Sequence, residues 1–363
     1  MTATTTPADS QALHADPVRA EVDRLLDDFL TTKARAAAAQ NMPAEANTAL
    51  RGFLAAGGKR LRPLLCLTGW SAAGGRERPR PVVQTAAALE MFHAFCLIHD
   101  DLMDRSDTRR GKPTIHRTLA AQHTHGRTGS AADHLGNSAA VLVGDLALVW
   151  SDELLHTAGL SERQLSDVLP LIDAMRSEVM YGQYLDVTAT GTPGVDVSRA
   201  LAICRYKTAK YTIERPLHIG AALAGAEQSL LDSLSAFAIP LGEAFQLRDD
   251  LLGVFGDPTH TGKPALDDLR EGKATVLIAL ALRHATRTQI DQLRPLLGHR
   301  DLTHDQAATA RNIITATGAA QRVETMITER YEQALSQLRA APLEPTSARL
   351  LRDFAYTAVR RTT

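Results

Sequence analysis

The amino-acid sequence predicts an all-α protein, and three observations predict it. Apolar residues recur at helical spacing, as in Val18, Val22, Leu25, Leu26, Phe29 and Leu30. No stretch shows the sustained period-two alternation or the β-branched run of a strand. Clusters such as Gly74-Gly75, Gly191-Thr192-Pro193-Gly194 and Gly256-Asp257-Pro258 punctuate the periodic segments.

In chain order, residues 1–15 are rich in Thr, Ala and polar residues and read as a disordered segment. Residues 16–363 read as one helical domain opening at Asp16-Pro17, a helix start. Helices follow at 45–56, 61–73, 81–107, 138–158, 162–188, 197–224, 228–254, 273–285, 304–317, 319–340 and 346–360. The helices 81–107 and 228–254 are almost equally long, and each carries an acidic cluster near its C-terminal end. Packed side by side in a bundle, they would aim both clusters at one cavity. Two stretches read as irregular. Residues 109–137, with His116, His123, His125, His134, Gly126, Gly129 and Gly136, read as a polar surface lid or insertion, with a metal site as the minor alternative. Residues 256–272 hold Lys263, Asp267, Asp268 and Arg270, with Lys273 following, beside the second acidic cluster. No short-period repeat and no linker divides the chain.

Composition narrows the partners. Hydrophobic residues make up 44% and charged residues 22%, ample for a packed core. A formal net charge of −1 provides no overall field for nucleic acid or an anionic membrane, so any anion must be held by a local basic cluster. The three cysteines, Cys66, Cys96 and Cys204, lack CxxC spacing and read as buried thiols of a reducing compartment. The N-terminus has no signal-peptide pattern, and no segment approaches ~20 uninterrupted apolar residues, so a cytoplasmic protein without stable membrane insertion is expected.

The chemistry lies in two aspartate clusters, His99-Asp100-Asp101-Leu102-Met103-Asp104 and Gln246-Leu247-Arg248-Asp249-Asp250. Each sits in an apolar helical run, where unpaired carboxylates are unfavourable and call for positive charge. Asp100 and Asp104 stand at i and i+4 and project from one helix face. Oxygen donors without Cys or His suit Mg²⁺, which takes one or two carboxylates, waters and substrate phosphates. Gly57-Gly58-Lys59-Arg60-Leu61-Arg62-Pro63 puts three cations on a turn whose glycines let backbone approach a ligand. It is no Walker A loop, because Phe53 stands where the first glycine is required and no strand precedes it. Arg109-Arg110 can fork onto phosphate oxygens or neutralise the neighbouring aspartates. Metal-holding acidic clusters plus separate basic clusters describe a site for two diphosphates.

The ordered series GGKRLRP, HxxxxxHDDLMD, TRRGKPTIH, Gly144-Asp145, GQYLD at 182–186, YKTAKYT at 206–212, FQLRDD at 245–250, GKP at 262–264 and DLREGKAT at 268–275 closely resembles the trans-type polyprenyl diphosphate synthases, over about residues 45–355. The resemblance implies an isoprenoid synthase-type helical bundle around a central cavity. It also implies a Mg²⁺-dependent prenyltransferase that condenses isopentenyl diphosphate with an allylic diphosphate, head to tail. By the same resemblance, Asp100, Asp104 and Asp249, supported by Asp101 and Asp250, would coordinate about three Mg²⁺ ions. Arg109, Lys207, Lys263 and Lys273 would contact the allylic diphosphate, while Gln246 and Asp186 order the metal and water network. Lys59, Arg62, His93 and Arg110 would hold isopentenyl diphosphate, and Thr208 and Gln183 would face the developing carbocation. Closure of 256–272, with Lys263 reaching the phosphates, would exclude water.

One departure stands out: the family's second motif is commonly DDxxD, and here it ends in Gly253. Product length is expected from Phe95 and Cys96, five and four residues before the first aspartate. An aromatic followed by a small residue resembles twenty-carbon synthases, which favours geranylgeranyl diphosphate, with farnesyl diphosphate as the alternative. A class I terpene cyclase fits poorly, because aromatics are only 4% of the chain and GGKRLRP would have no second diphosphate to bind. A non-catalytic subunit of a two-component synthase would be expected to have lost its acidic motif, which is intact here. The resemblance also implies a homodimer, with apolar faces of 81–107 and 138–158 as candidate interfaces.

Overall fold

The computed structural model describes residues 7–191, 194–256 and 266–360. Among them the backbone is helical apart from turns, bends and one two-stranded hairpin. The contacts gather into two compact units, Met1–Ser71 with Gly75–Leu165 and Ala72–Gly74 with Ser166–Thr363. The boundary at Leu165 and Ser166 falls inside a helix, so no change of composition marks it.

The first unit contains α1 (Pro7–Ala39), α2 (Glu45–Ala55), α3 (Leu61–Ala72), α4 (Arg80–Met103), α5 (Ile115–Gln122) and α6 (Gly129–His156). Helix α1 begins upstream of the expected start, with Pro17 inside it. Proline removes one hydrogen bond to the preceding turn, and here the helix continues past that loss. Of the segment expected to be disordered, residues 1–6 lie outside the described residues and 7–15 are helical.

Helix α4 is the core of this unit and packs along α6. Met91, Phe92 and Ile98 are essentially fully buried, each contributing about 1.5–3 kcal/mol. By length and composition α4 could cross a membrane, but 78% of its most apolar window is buried inside the protein, which marks a core helix. It ends at Met103 rather than 107, because Arg105 turns left-handed at φ 54 just after the C-cap Asp104.

The stretch 109–137, read as irregular, is largely ordered secondary structure. Strands β1 (Thr108–Arg109) and β2 (Lys112–Pro113) pair antiparallel around Arg110-Gly111. Both turn residues have positive φ, 54 and 71, as a tight two-residue hairpin turn requires. Helix α5 follows, and α6 starts at Gly129, where Thr128 accepts a hydrogen bond from the Ala131 N–H. Gly136 is a packing residue rather than loop punctuation: a Cβ there would lie 2.4 Å from the His116 carbonyl oxygen.

The second unit holds the rest of α7 (Glu162–Ala189), then α8 (Val197–Ile203), a π-helix (Cys204–Glu214), α9 (Arg215–Leu223) and α10 (Gln228–Phe255). It continues through α11 (Asp267–Glu271), α12 (Val276–His284), α13 (Arg287–Leu293), α14 (His304–Ala316), α15 (Ala319–Ala340) and α16 (Pro345–Arg360). Helix α10 is its centre, packed on α15 and on the π-helix. The segment read as one helix over 197–224 changes winding between 204 and 214. Two glycines admit that wider backbone: a Cβ on Gly182 of α7 would meet the Lys207 nitrogen at 2.6 Å, and one on Gly242 of α10 would meet the Ala209 Cα at 2.4 Å. Its buried charges are paired, with Glu178 accepting from both Lys210 and Arg215.

Candidate functional site

In the first unit the two basic motifs come together. The Arg110 guanidinium lies against Gly58, where a Cβ would stand 3.0 Å from its Nη2, so the bare backbone of that glycine leaves room for the approach. Of the turn's three cations, Lys59 is exposed while Arg60 and Arg62 are buried. Arg60 is a structural residue. It donates to Glu90 and Asp23, each at 2.8 Å, and to the Leu54 carbonyl at 2.7 Å, tying α1 and α2 to α4. Glu90 is the partner that sequence reasoning missed; a lone acid inside the apolar run Ala86–Phe95 was the available signal.

A small cleft beside this network is lined by Phe53, Glu90, His93, Leu97 and Arg110, among others. Burial, and then the charges of Arg62, Arg109, Arg110 and Arg60, hold the His93 pKa well below the ordinary 6.5, so its imidazole is neutral. Arg110 is also pushed down, by burial first, with Arg60 and Arg109 adding to it against the opposing charge of Glu90. Crowded, partly desolvated cations of this kind favour an anion.

Two turns after His93, α4 carries the first acidic cluster. Asp104 remains helical, its N–H bonded to the Asp100 carbonyl at 2.8 Å, so the i, i+4 relation holds. Asp101 points elsewhere. It is 2% exposed and accepts from Arg109 Nε at 2.7 and 2.9 Å, while Arg109 Nη2 stands 3.5 Å from Asp100. Burial opposes the Arg109 charge, but the hydrogen bonds and charge of Asp101 outweigh it and raise its pKa. Phe95 packs edge-on against His99, with centroids 4.7 Å apart, and tilted against Phe92 at 5.3 Å. Cys96 is half-buried beside it. The Gly144-Asp145 motif serves His99: a Cβ on Gly144 would lie 2.3 Å from the imidazole, and Asp145 stands 3.6 Å from Nε2.

The second unit forms its own cluster. Lys207 donates to Asp186 at 2.6 Å. Thr208 donates to Gln246 at 2.7 Å, and Gln246 in turn donates to Asp250 at 2.8 Å, which fixes the amide's orientation. Gln183 is half-buried on α7, next to Gly182, the residue whose Cβ would meet the Lys207 nitrogen. Lys273 reaches Glu271 at 2.9 Å and Asp268 at 3.6 Å. Arg248 is structural, donating to Glu324 and to the Val359 carbonyl of α16. Lys263, with the GKP motif and Asp257, lies outside the described residues.

The donor set fits a hard divalent cation. Burial, with Asp268 and Asp249 nearby, raises the Asp250 pKa to about 8 against the pull of its Gln246 hydrogen bond, so its carboxyl holds a proton near neutral pH and a cation beside it would favour its ionised form. Among the described residues no three His, Cys, Asp or Glu side chains form a ready-made cage. Mg²⁺ suits that arrangement, since water and phosphate oxygens complete its shell.

The profile of the polyprenyl synthetase family matches residues 43–314. The chain is 34% identical to a geranylfarnesyl diphosphate synthase of Aeropyrum pernix over 85% of this chain and 92% of that one. It is 29% identical to a geranylgeranyl diphosphate synthase of Saccharolobus solfataricus, covering 84% and 87%. Its fold superposes on a geranylgeranyl pyrophosphate synthase from Corynebacterium glutamicum, crystallised with isoprenyl diphosphate and magnesium, with a TM-score of 0.88, 40% identity and coverage of 94% and 99%. A polyprenyl synthase from Caulobacter crescentus CB15, complexed with calcium and isoprenyl diphosphate, gives 0.79 at 27% identity and full coverage of both chains. The all-α architecture and the motif set are thus those of a prenyl-transferring enzyme. The chain belongs to the polyprenyl synthetase family.

Proposed function

We propose that this enzyme condenses isopentenyl diphosphate with an allylic diphosphate and releases chiefly geranylgeranyl diphosphate. One observation carries the reading: α4 presents His93 to the arginines and, two turns later, Asp100 and Asp104, so cationic and anionic subsites stand side by side in one unit. In this reading Lys59, Arg62, His93 and Arg110 bind isopentenyl diphosphate. By the resemblance of their motifs, Asp100, Asp104 and Asp249 are assigned as ligands of about three Mg²⁺ ions, with Asp101 and Asp250 in support. When bound, Mg²⁺ neutralises the diphosphate leaving group before its carbon–oxygen bond breaks.

The remaining work falls to side chains. Arg109, set by Asp101, and Lys207, set by Asp186, add positive charge at the allylic diphosphate, joined by Lys263 and Lys273. Thr208 and Gln183 direct oxygen dipoles toward the developing carbocation, while Gln246 and Asp186 order the metal and water network. The double bond of isopentenyl diphosphate attacks that carbon, and the released diphosphate takes the proton.

Phe95 supports the twenty-carbon product. It is 9% exposed and braced by Phe92 and His99, a rigid wall with the smaller Cys96 beside it. We place the working form as a homodimer in the cytoplasm. Helix α4 leaves little apolar surface for an interface, whereas α6 exposes Val141, Leu142 and Val149. Incubating the purified chain with Mg²⁺, isopentenyl diphosphate and allylic primers of 5, 10 and 15 carbons tests the reading. Twenty-carbon diphosphate is expected; no elongation from any primer would overturn the function, and a fifteen-carbon end product would overturn the chain length.

A further inference from the structure

The His99 ring joins the wall at Phe95 to helix α6. Phe95 and His99 stand at i and i+4 on α4, so their side chains meet on one helix face, and their rings pack edge-on with centroids 4.7 Å apart. Helix α6 holds the same imidazole. Its Nε2 stands 3.2 Å from the Val141 carbonyl oxygen, and because a carbonyl only accepts, this nitrogen is the donor. Asp145 Oδ1, 3.6 Å from that nitrogen, favours the same tautomer. Gly144 supplies the seat: a Cβ there would lie 2.3 Å from Nε2 and 2.4 Å from Cδ2, closer than unbonded atoms approach, so the ring occupies the volume of a side chain at 144. Phe95 is thus backed by Phe92, 5.3 Å away between centroids, and by an imidazole fixed from a second helix.

We infer that His99 is a positioning residue for product length: seated on α6 by Gly144, Val141 and Asp145, it holds the Phe95 ring in the place that stops the growing prenyl chain. The inference rests on the chain-length reading above. A ring free to turn to another rotamer stops nothing, so the contacts that fix Phe95 matter as much as its size. Gly144 and Asp145 then act on product length from α6 through the imidazole. An alanine at 144 cannot coexist with the seated ring, so it drives His99 out and leaves Phe95 without its edge contact.

The test is product chromatography at matched conversion, with the same allylic primer and isopentenyl diphosphate in every sample. His99→Ala removes the ring and keeps Phe95, while Gly144→Ala keeps the ring and fills its seat. Each should raise the ratio of longer products to the wild-type end product by about 2–10-fold, the scale of one aromatic contact. The two changes should not add: in the His99→Ala background Gly144→Ala has no ring to displace and should lengthen nothing further. If His99 served only to hold Asp100 or the packing of α4, His99→Ala would lower kcat and leave product length unchanged. That result overturns the inference, whether or not Gly144→Ala folds. Additive lengthening in the double variant overturns it as well, because the two residues would then act separately. Phe95→Ala is the control: if it leaves the products unchanged, the wall and this inference fall together, and if it lengthens them while His99→Ala does not, this inference falls alone.

Discussion

Arg109 donates from Nε to both carboxylate oxygens of Asp101, at 2.7 and 2.9 Å, and holds Nη2 3.5 Å from Asp100. Adjacent aspartates of one motif therefore differ in kind, one a buried anchor and the other a partly open carboxylate. Asp101→Ala should lower unfolding free energy by about 3–5 kcal/mol, because it strands a desolvated guanidinium. Asp100→Ala should change it by no more than about 1 kcal/mol. Urea unfolding of both variants decides; equal losses would contradict the division.

Arg60 and its neighbours in the basic turn should separate in the same way. Lys59→Ala and Arg62→Ala should chiefly raise KM for isopentenyl diphosphate, with less effect on the allylic substrate. Arg60→Ala breaks the buried pair with Glu90 and should destabilise the fold by about 3–5 kcal/mol. A parallel rise of KM for both substrates in the Lys59 and Arg62 variants would contradict the subsite assignment.

His93 gives a pH signature. Its folded pKa lies well below the ordinary 6.5, through burial and then the surrounding arginines. The unfolded chain thus binds the extra proton first. The stability due to a neutral His93 is fully present above pH 6.5 and is lost as pH falls toward the folded pKa, with a slope of at most about 1.4 kcal/mol per pH unit. Stability curves of wild type and His93→Gln should diverge in slope below pH 6.5. Parallel curves would show that this imidazole is not held neutral.

Chain length turns on the wall before the first aspartate. Phe95→Ala should lengthen the products, and Cys96→Phe should shorten them toward fifteen carbons. Product chromatography reads both; an unchanged distribution in the two variants would remove this wall from the account.

The fold class and most helix boundaries were legible because helical periodicity is local. Motif order pointed to the acidic and basic residues as candidates. What stayed hidden depends on contacts between distant segments. Gly136 and Gly144 look like loop punctuation or a motif letter until His116 and His99 are seen against them. The π-winding of 204–214 follows from close approach at Gly182 and Gly242, which no periodicity announces. Arg60 is indistinguishable from Lys59 by composition, and only Glu90 and Asp23 reveal its structural task. Gly253 read alone is a departure from the motif, and the sequence gives no sign that Asp268 Oδ2 stands 1.7 Å from where its Cβ would be.

The central claim is that carboxylates of both aspartate motifs hold the cations that release the allylic diphosphate. It is tested most directly by steady-state turnover of purified Asp249→Ala and Asp100→Ala with Mg²⁺, isopentenyl diphosphate and an allylic primer. Both variants should keep wild-type thermal unfolding and lose at least about 10²–10³ in kcat, the scale of removing one electrostatic stabiliser of a transition state. Near wild-type turnover in either variant would contradict the account.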